Sequence, residues 1–289
     1  MIYIHAIGIH NTVPSGKLPD LTGKLKSIGG SNRRSDHFIQ LAVIGAHKAV
    51  EGHQLRDQTA VYMTSGQGNT AVFNRVYNSL HIKKDLPKPV DFINLLSNSA
   101  GFYVADHLGL HGKNIFLSHH HFPVQMTMLA TQNDLTLGKQ KAILAGGVDE
   151  WLPRQDLARR LSGVSETTTL GEGSNWMLLN SQKEGAIATF ELPGKWLLED
   201  ELHKLLAAEA ENNRSFIAFA KRVPAGKTTG IMSQYPEFAR YNYEESCACY
   251  ETLSFYALNS FLAGNKKGRL LHIDVSAGHY MVMAVEIIP

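Results

Sequence analysis

Apolar residues along this chain follow two rhythms, the two-residue repeat of strands and the three-to-four-residue repeat of helices. Met1–His10 has the strand repeat and ends in a loop that contains Asn, Pro and Gly. The helical repeat begins after Ser35, which is predicted to be the N-cap of the first long helix, with Asp36 behind it. The apolar positions expected to form the buried face of that helix are Phe38, Leu41, Ala42, Ala46 and Ala49.

The same repeats predict the remaining elements, and residues 14–34, rich in Gly, Lys and Ser, are expected to be irregular. Helices are predicted at Phe92–Leu110, Gln125–Leu137, Glu199–Asn212 and Glu244–Leu262. Strands are predicted at Ala60–Thr64, Asn114–Ser118, Lys141–Ala145, Trp176–Leu179, Ala186–Glu191, Phe216–Ala220, Arg269–Val275 and Met281–Ile288. The strand Ala186–Glu191 is expected to pair with Trp176–Leu179. Alternating strands and helices favour an α/β fold, with residues 1–180 and 181–289 as two halves of one compact unit.

Composition narrows the class of protein without naming it. Of 289 residues, 44% are hydrophobic and 19% are charged, which is typical of a folded globular chain. A net charge of +2 without any Lys/Arg block argues against nucleic-acid binding. No run approaches the roughly 20 apolar residues of a membrane span, and no basic segment precedes the first apolar run. Two cysteines, Cys247 and Cys249, do not make a disulfide framework, so a cytoplasmic location is expected.

Four segments carry a resemblance to a known family through their order and mutual spacing. They are IHAIGI at Ile4–Ile9, VYMTSGQGN at Val61–Asn69, QKAILAGGVDE at Gln140–Glu150 and LGEGSNWMLL at Leu170–Leu179. Together they resemble the β-ketoacyl synthase branch of the thiolase superfamily, closely up to about residue 180 and weakly beyond. The resemblance implies a thiolase-like fold, with two related halves in αβαβα layers.

The resemblance also locates the residues on which condensation depends. A ketosynthase uses a Cys thiolate at the start of a buried helix, and two histidines activate the malonyl group and stabilise the developing enolate. The cysteine position corresponds here to His121, with one residue of uncertainty on either side, and the first half contains no Cys. The two histidine positions correspond to Lys221 and Glu244. The sequence therefore resembles a ketosynthase without its condensing residues.

A ketosynthase-like chain without these residues is similar to a chain-length factor, which completes a heterodimer with an active ketosynthase. Such a subunit bounds the pocket of the growing chain and meets the acyl carrier protein through the complex. The compact second half resembles the partner subunits of aryl polyene ketosynthases. The resemblance implies that the dimer interface contains the strand residues Asn114, Ile115, Phe116, Leu117 and Ser118. Candidate gate residues, which are equally candidates for ordinary core residues, are Phe92, Leu96, Phe102 and Phe116. No cofactor is implied.

Other interpretations of single residues stay open. Adjacent side chains on a strand point to opposite faces, so the run His119–His121 is a poor metal site, and no metal is expected. His121 is also a candidate base for an acyl-thioester decarboxylase or hydrolase. Cys247 and Cys249 are interpreted as small buried residues, and Asp149-Glu150 as surface or turn structure after two glycines. A homo-oligomeric binding protein without any polyketide role is the third hypothesis.

Overall fold

The computed structural model describes residues 1–14, 16–31, 33–211, 215–264 and 267–289. All its named strands lie in one mixed sheet. They are β1 (Ile2–Thr12), β2 (Ala60–Thr64), β3 (Asn114–Leu117), β4 (Ala142–Asp149), β5 (Glu172–Asn180), β6 (Ala188–Glu191), β7 (Ser215–Phe219), β8 (Ala239–Arg240), β9 (Arg269–Ser276) and β10 (His279–Ile287).

Helices alternate with these strands along the chain. They are α1 (Thr22–Ser27), α2 (His37–Val50), α3 (Thr70–Tyr77), α4 (Pro89–Asn94), α5 (Asn98–Leu108), α6 (Pro123–Thr136), α7 (Gln155–Ser162), α8 (Glu199–Ala210), α9 (Ala225–Gln234) and α10 (Leu253–Gly264). A π-helical turn at Asn78–Lys83 continues α3, and a 3₁₀ turn covers Tyr243–Glu245. None of these helices is long and apolar enough to cross a bilayer.

The order of the strands across the sheet is symmetric about its centre. It runs β3-β2-β4-β5-β1-β6-β10-β9-β7-β8, so each of the first five strands has its counterpart at the mirrored position. In both halves the outer three strands are parallel, and the pairs nearer the centre are antiparallel. The halves meet where β1 pairs with β6, from Ile2↔Phe190 to Ile4↔Ala188. The predicted α/β fold with two related halves is confirmed.

Three clusters of apolar side chains define the layers. α6 and α10 lie between the two half-sheets, and side chains such as Met128 and Phe261 pack against strands of both halves. α2 and α5 cover the outer face of the first half-sheet, and α8 and α9 cover the outer face of the second. Burial on all sides explains why α10 reads LSFYALNSFLAG, with almost no polar face. The arrangement is the predicted αβαβα stack.

Several predicted boundaries are wrong. Asp36 rather than Ser35 caps α2, and its carboxylate accepts a hydrogen bond from the Ile39 N–H at 3.2 Å. The expected irregular segment contains α1, whose Leu25 is buried under α2. The predicted helix Phe92–Leu110 is two helices, α4 and α5, joined by a short break. The end of the predicted helix Glu199–Asn212 falls at a residue outside the described ranges.

Two further differences bear on the site. β6 does not pair with β5 as expected, because β1 lies between them in the sheet. The predicted helix Glu244–Leu262 begins only at Leu253. Before it, Cys249 forms a bridge to Leu170, in which the Cys249 N–H donates to the Thr169 carbonyl and keeps this backbone extended.

Candidate functional site

The N-terminus of α6 occupies the place in the fold that the sequence resemblance assigns to the nucleophile. Phe122 is the N-cap residue, and no side chain caps the helix. Instead, the His119 Nδ1 accepts the Phe122 N–H at 3.0 Å and the His121 N–H at 3.3 Å. The His121 ring is half-buried, and its Nδ1 lies 2.8 Å from the Ser276 Oγ at the end of β9. The position predicted from the sequence thus lies at the N-terminus of a buried helix.

An internal ion pair closes this helix terminus from the other half of the molecule. Phe122 is fully buried, and the Arg222 guanidinium lies 5.8 Å from its ring centre. Arg222 binds Asp274 in a two-pronged contact with both distances at 2.9 Å. Gln125, in the first turn of α6, donates to the same carboxylate at 2.9 Å. This network joins α6 to the turn after β7 and to β9. The sequence motifs did not predict it.

The two predicted replacements of the family's histidines have different surroundings. Lys221 directly follows the end of the β7 ladder, and its side chain is exposed. Glu244 lies in the 3₁₀ turn and accepts a hydrogen bond from Arg240 at 2.8 Å. Because α10 starts at Leu253, the residues at the opening of that buried helix are Glu251 and Thr252, not Glu244. The assignment of Glu244 to one of the two histidine positions stays a prediction. The start of α10 at Leu253 does not favour this assignment.

One imidazole does lie close to the network. His272 in β9 is fully buried, and burial lowers the pKa of its ring to about 4. Its nearest polar neighbour is the Tyr243 hydroxyl, 3.4 Å from the Nε2 atom. A neutral ring held in the core in this way is a packing element.

The candidate gate residues do not line a cavity floor in this subunit. Phe92, Leu96 and Phe102 are 64%, 61% and 63% exposed, whereas Phe116 is half-buried. The first three therefore are not core residues, and they reach outward from α4 and α5. They belong to a larger exposed apolar surface, called here the apolar lobe and formed by residues 70–102. Its large exposed side chains are Phe73, Tyr77, Leu80, Ile82, Leu86, Phe92, Ile93, Leu96 and Phe102.

The lobe adjoins the open edge of the sheet. β3 is an edge strand whose strand partner is β2. Since the Val61 N–H donates to the Lys113 carbonyl, the alternation of a parallel ladder turns the N–H groups of Asn114 and Phe116 toward the open edge. α5 lies close beside β3, because a Cβ on Gly101 would stand only 2.6 Å from the Asn114 Oδ1. The predicted strand is confirmed as β3, with Ser118 just beyond its end.

The carboxyl pair after the two glycines is buried, so its interpretation as surface or turn structure is wrong. β4 continues through Gly146 and Gly147, which pair with Trp176 and Asn175 of β5. A Cβ on Gly146 would lie 2.1 Å from the Trp176 indole, so only glycine fits there. Asp149 accepts hydrogen bonds from the Ser65 hydroxyl at 2.9 Å and from the Thr252 N–H at 2.7 Å. Burial raises the pKa of Asp149 to about 6. This carboxylate ties the end of β4 to the start of α10.

The neighbouring carboxyl holds the base of the apolar lobe. One oxygen of Glu150 accepts the Ala71 N–H in the first turn of α3 at 2.8 Å. The other oxygen is buried without a hydrogen-bond partner among the described residues. Burial raises the pKa of Glu150 to about 7, with the charges of Asp36 and Glu172 adding to the rise and that of His37 opposing it.

The cysteines and the histidine run offer little reactive chemistry. Burial raises the pKa of Cys247 to about 11 and that of Cys249 to about 12, so both thiols are protonated near neutral pH. Neither lies on a helix, and both are free thiols. Within the described residues, no three His, Cys, Asp or Glu side chains are arranged to hold a metal ion.

Comparison with known proteins identifies the fold. No family model and no curated protein sequence matches the chain. Solved structures do match along its whole length. The ishigamide ketosynthase/chain length factor has a TM-score of 0.75 and 11% identity, covering 100% of this chain and 99% of the other. The AntDE:AntF complex, a type II polyketide synthase acyl-carrier protein with its hexaketide-bound ketosynthase, has a TM-score of 0.69 and 13% identity, covering 99% of both chains.

A third neighbour belongs to another group of condensing enzymes. The 3-oxoacyl-(acyl carrier protein) synthase III of Pseudomonas aeruginosa has a TM-score of 0.58 and 14% identity, covering 100% of this chain and 99% of the other. At such identities the likeness concerns the fold. The chain has the thiolase fold of the ketosynthases, as its sequence motifs predicted.

The raised pKa of Glu150 predicts a pH dependence of stability. An acid whose folded-state pKa exceeds its unfolded value of 4.5 destabilises the fold progressively as pH rises from 4.5 to about 7. The full loss is on the order of 3 kcal/mol above pH 7, at 1.36 kcal/mol per pKa unit. Glu150→Gln keeps an acceptor for the Ala71 N–H and cannot ionise, so it should be more stable than the natural chain at pH 8 and about equal at pH 4.5. Chemical denaturation across this range measures the difference, with Glu184→Gln at an exposed site as control; parallel curves for E150Q and the natural chain would contradict the prediction.

Proposed function

We propose that this protein is a non-catalytic, ketosynthase-like subunit of the chain-length-factor type. It pairs with an active ketosynthase and helps to shape the pocket in which that enzyme elongates an acyl chain. The proposal rests on the fold, on the contents of the α6 terminus and on the surface around β3.

The sealed terminus of α6 is the observation that carries the proposal. A condensing thiolate gains its low pKa from the N–H groups and the dipole of a helix start that an acyl group can reach. Here the helix start carries the buried Phe122 ring, and Arg222 stacks over it. The Arg222–Asp274 pair fixes this arrangement. We infer that this buried ring and ion pair, next to His121 in the chain, leave no acyl tunnel at the start of α6.

The nature of the ion pair supports a permanent seal. Asp274 is 1% exposed, so breaking the pair would leave a buried carboxylate without its cation. Removing one partner of a buried pair costs on the order of 3–5 kcal/mol. That figure is the cost of leaving the Asp274 carboxylate unpaired and not the strength of the pair, whose Arg222 side chain is 23% exposed. An ion pair that is costly to break on one side is compatible with a subunit that contributes surface and shape to a complex.

The surface around β3 supports a partner. An open strand edge offers unpaired N–H and C=O groups, which favour strand pairing with a second chain. The apolar lobe places nine large apolar side chains beside that edge, a patch of the kind that marks protein interfaces. The exposed Phe92 and Leu96 can act as gate residues only by reaching across such an interface into the partner's pocket. The partner we propose is an active ketosynthase.

In this proposal, the chain meets the acyl carrier protein and the growing acyl chain through the partner ketosynthase. One structural neighbour is a ketosynthase in complex with its acyl-carrier protein, and we extend this relation to the proposed heterodimer. Membership of the aryl polyene group stays a prediction from the sequence. The protonated free thiols fit a reducing compartment such as the cytoplasm.

Strand pairing at β3 gives a direct test of the heterodimer. Asn114→Pro removes an outward N–H at the first residue of an edge strand, where proline is tolerated within the fold. We expect co-purification with the proposed ketosynthase partner to fall by about tenfold or more, since each 1.4 kcal/mol is tenfold in affinity. Asn114→Ala loses the same side chain but keeps the N–H, and it should bind normally.

Thermal unfolding of both variants checks that the fold is kept. Equal binding by N114P and N114A would remove β3 from the interface. A natural chain that is monodisperse as a homo-oligomer and never co-purifies with a ketosynthase would favour the homo-oligomeric alternative.

The gate residues predict a change of product. Phe92→Ala and Leu96→Ala each shorten an exposed side chain, so the change in the free energy of unfolding should stay within about 0.5 kcal/mol. If either side chain closes the end of the partner's pocket, the complex should release longer acyl chains, as measured by mass spectrometry of the products. Leu137→Ala, exposed to a similar degree at the other end of α6, should leave chain length unchanged. Unchanged products for both variants would exclude these gates.

The alternative activity is that of a decarboxylase or hydrolase that uses His121. The His121 ring is paired with Ser276, and among the described residues no carboxylate accepts from it. Without an orienting carboxylate a strong general base is not expected. The isolated chain should therefore not consume malonyl-carrier thioester above the uncatalysed rate. Turnover that is lost in His121→Ala and kept in His120→Ala would establish the alternative and overturn the non-catalytic proposal.

A further inference from the structure

A groove on the outer face of the first half is separate from the α6 terminus. It lies between α2, α5 and the segment around α1, and encloses about 570 Å³. Cavities of roughly 300–1,000 Å³ are typical of sites for small organic ligands. The proposed partner role gives this groove no task of its own, although Phe102 in its lining also belongs to the apolar lobe.

One side of the groove is apolar. Leu25 of α1 and Ile39 and Val43 of α2 form its floor, and all three belong to the outer core cluster. Phe102 and Tyr103 of α5 stand at its wall, with their rings 5.8 Å apart in an edge-to-face arrangement. A surface of this kind favours an aliphatic or aromatic group of a ligand.

The opposite side carries positive charge. Arg33 and Arg34 line the groove, and within the described part of the chain neither makes an ion pair with a carboxylate. The acid on the lining is Asp106, so two guanidinium groups face one carboxylate. Burial lowers the pKa of the neighbouring His107 ring, which keeps that ring neutral near pH 7. Guanidinium groups bind carboxylates and phosphates in two-pronged contacts.

The backbone at Arg34 is held in an unfavourable conformation. Its φ of 63° lies in the left-handed region, which side chains other than Gly, Asn and Asp rarely adopt. Two side chains fix it there: the Asn94 amide donates to the Arg34 carbonyl at 2.8 Å, and the Tyr103 hydroxyl donates to it at 3.1 Å. Asn94 is buried, so this support belongs to the interior of the molecule. Strain of this kind persists where the surrounding structure over-determines it, and such residues are concentrated at ligand sites.

We propose that this groove binds a small organic anion with an apolar tail, headed by a carboxylate or a phosphate. The anionic head pairs with Arg34 and Arg33, and the tail lies along Leu25, Ile39 and Phe102. Asn94 and Tyr103 hold the backbone of Arg34 in place beside the groove through its carbonyl oxygen. Phe102 is shared with the apolar lobe, so the site is tested on this chain without a partner, where it can hold or fail independently of the proposed function.

Calorimetry on the full chain tests the site with matched probes. Octyl phosphate and octanoate should both bind, whereas octanol and inorganic phosphate should each bind at least tenfold more weakly. The ratio between the two anions identifies the preferred head group. Failure of both anions to bind, or equal binding of octanol, would overturn the proposal.

Substitution at Arg34 separates binding from folding. Arg34→Gly removes the guanidinium and also relieves the strained φ, since glycine adopts this conformation freely. The variant should unfold at the same or a higher temperature and yet bind the anions at least tenfold more weakly. Arg160→Gln, at an exposed position of α7, is the control and should bind normally. Undiminished anion binding by R34G would exclude Arg34 as the anchor, and with it the site as proposed.

Discussion

Two helices whose N-terminal turns lie in the interior impose the main constraint on this molecule. α6 and α10 lie between the half-sheets, so the N–H groups at their first turns cannot turn to water. Asp149 supplies an acceptor at the start of α10 through the Thr252 N–H. At the start of α6, His119 accepts from the Phe122 N–H, and Phe122 itself fills the space in front of the helix. The rest of the fold is arranged around satisfying and covering these two termini.

The same constraint bears on the proposal that this thiolase-type chain has no condensing activity of its own. An open helix terminus in the core would leave unpaired N–H groups beside an empty cavity. Both features would lower the stability of the fold. Phe122 lies buried at the start of α6, and the Arg222–Asp274–Gln125 network supplies polar contacts beside it. In the proposed role, the functional surface is the edge strand β3 together with the apolar lobe, next to which α5 lies. The proposed partner role and the sealed centre are thus consequences of one arrangement.

The two unusual carboxyls extend this organisation to the surface. Asp149 binds to the start of α10 inside the molecule, and Glu150 binds to the start of α3 at the base of the lobe. Two adjacent residues at the end of β4 therefore connect the core of the molecule to the base of the apolar lobe. Their burial in this position is the reason that their pKa values rise.

Much of the fold was determined by local pattern. The strand and helix repeats were sufficient to predict the α/β class, because such repeats depend on short-range periodicity. The αβαβα layers were expected only from the resemblance of the glycine-containing motifs to a known family. What the sequence left undecided arises from contacts between distant segments. The Trp176 indole leaves no room for a side chain at Gly146, and the Thr252 N–H donates to the buried Asp149 carboxylate. Arg222 forms an ion pair with Asp274, which lies 52 residues away in the sequence. The absence of Cys from the first half could be read from the sequence, but only the tertiary structure decided what surrounds the start of α6, because packing and ion pairing depend on residues that the chain brings together only when it folds.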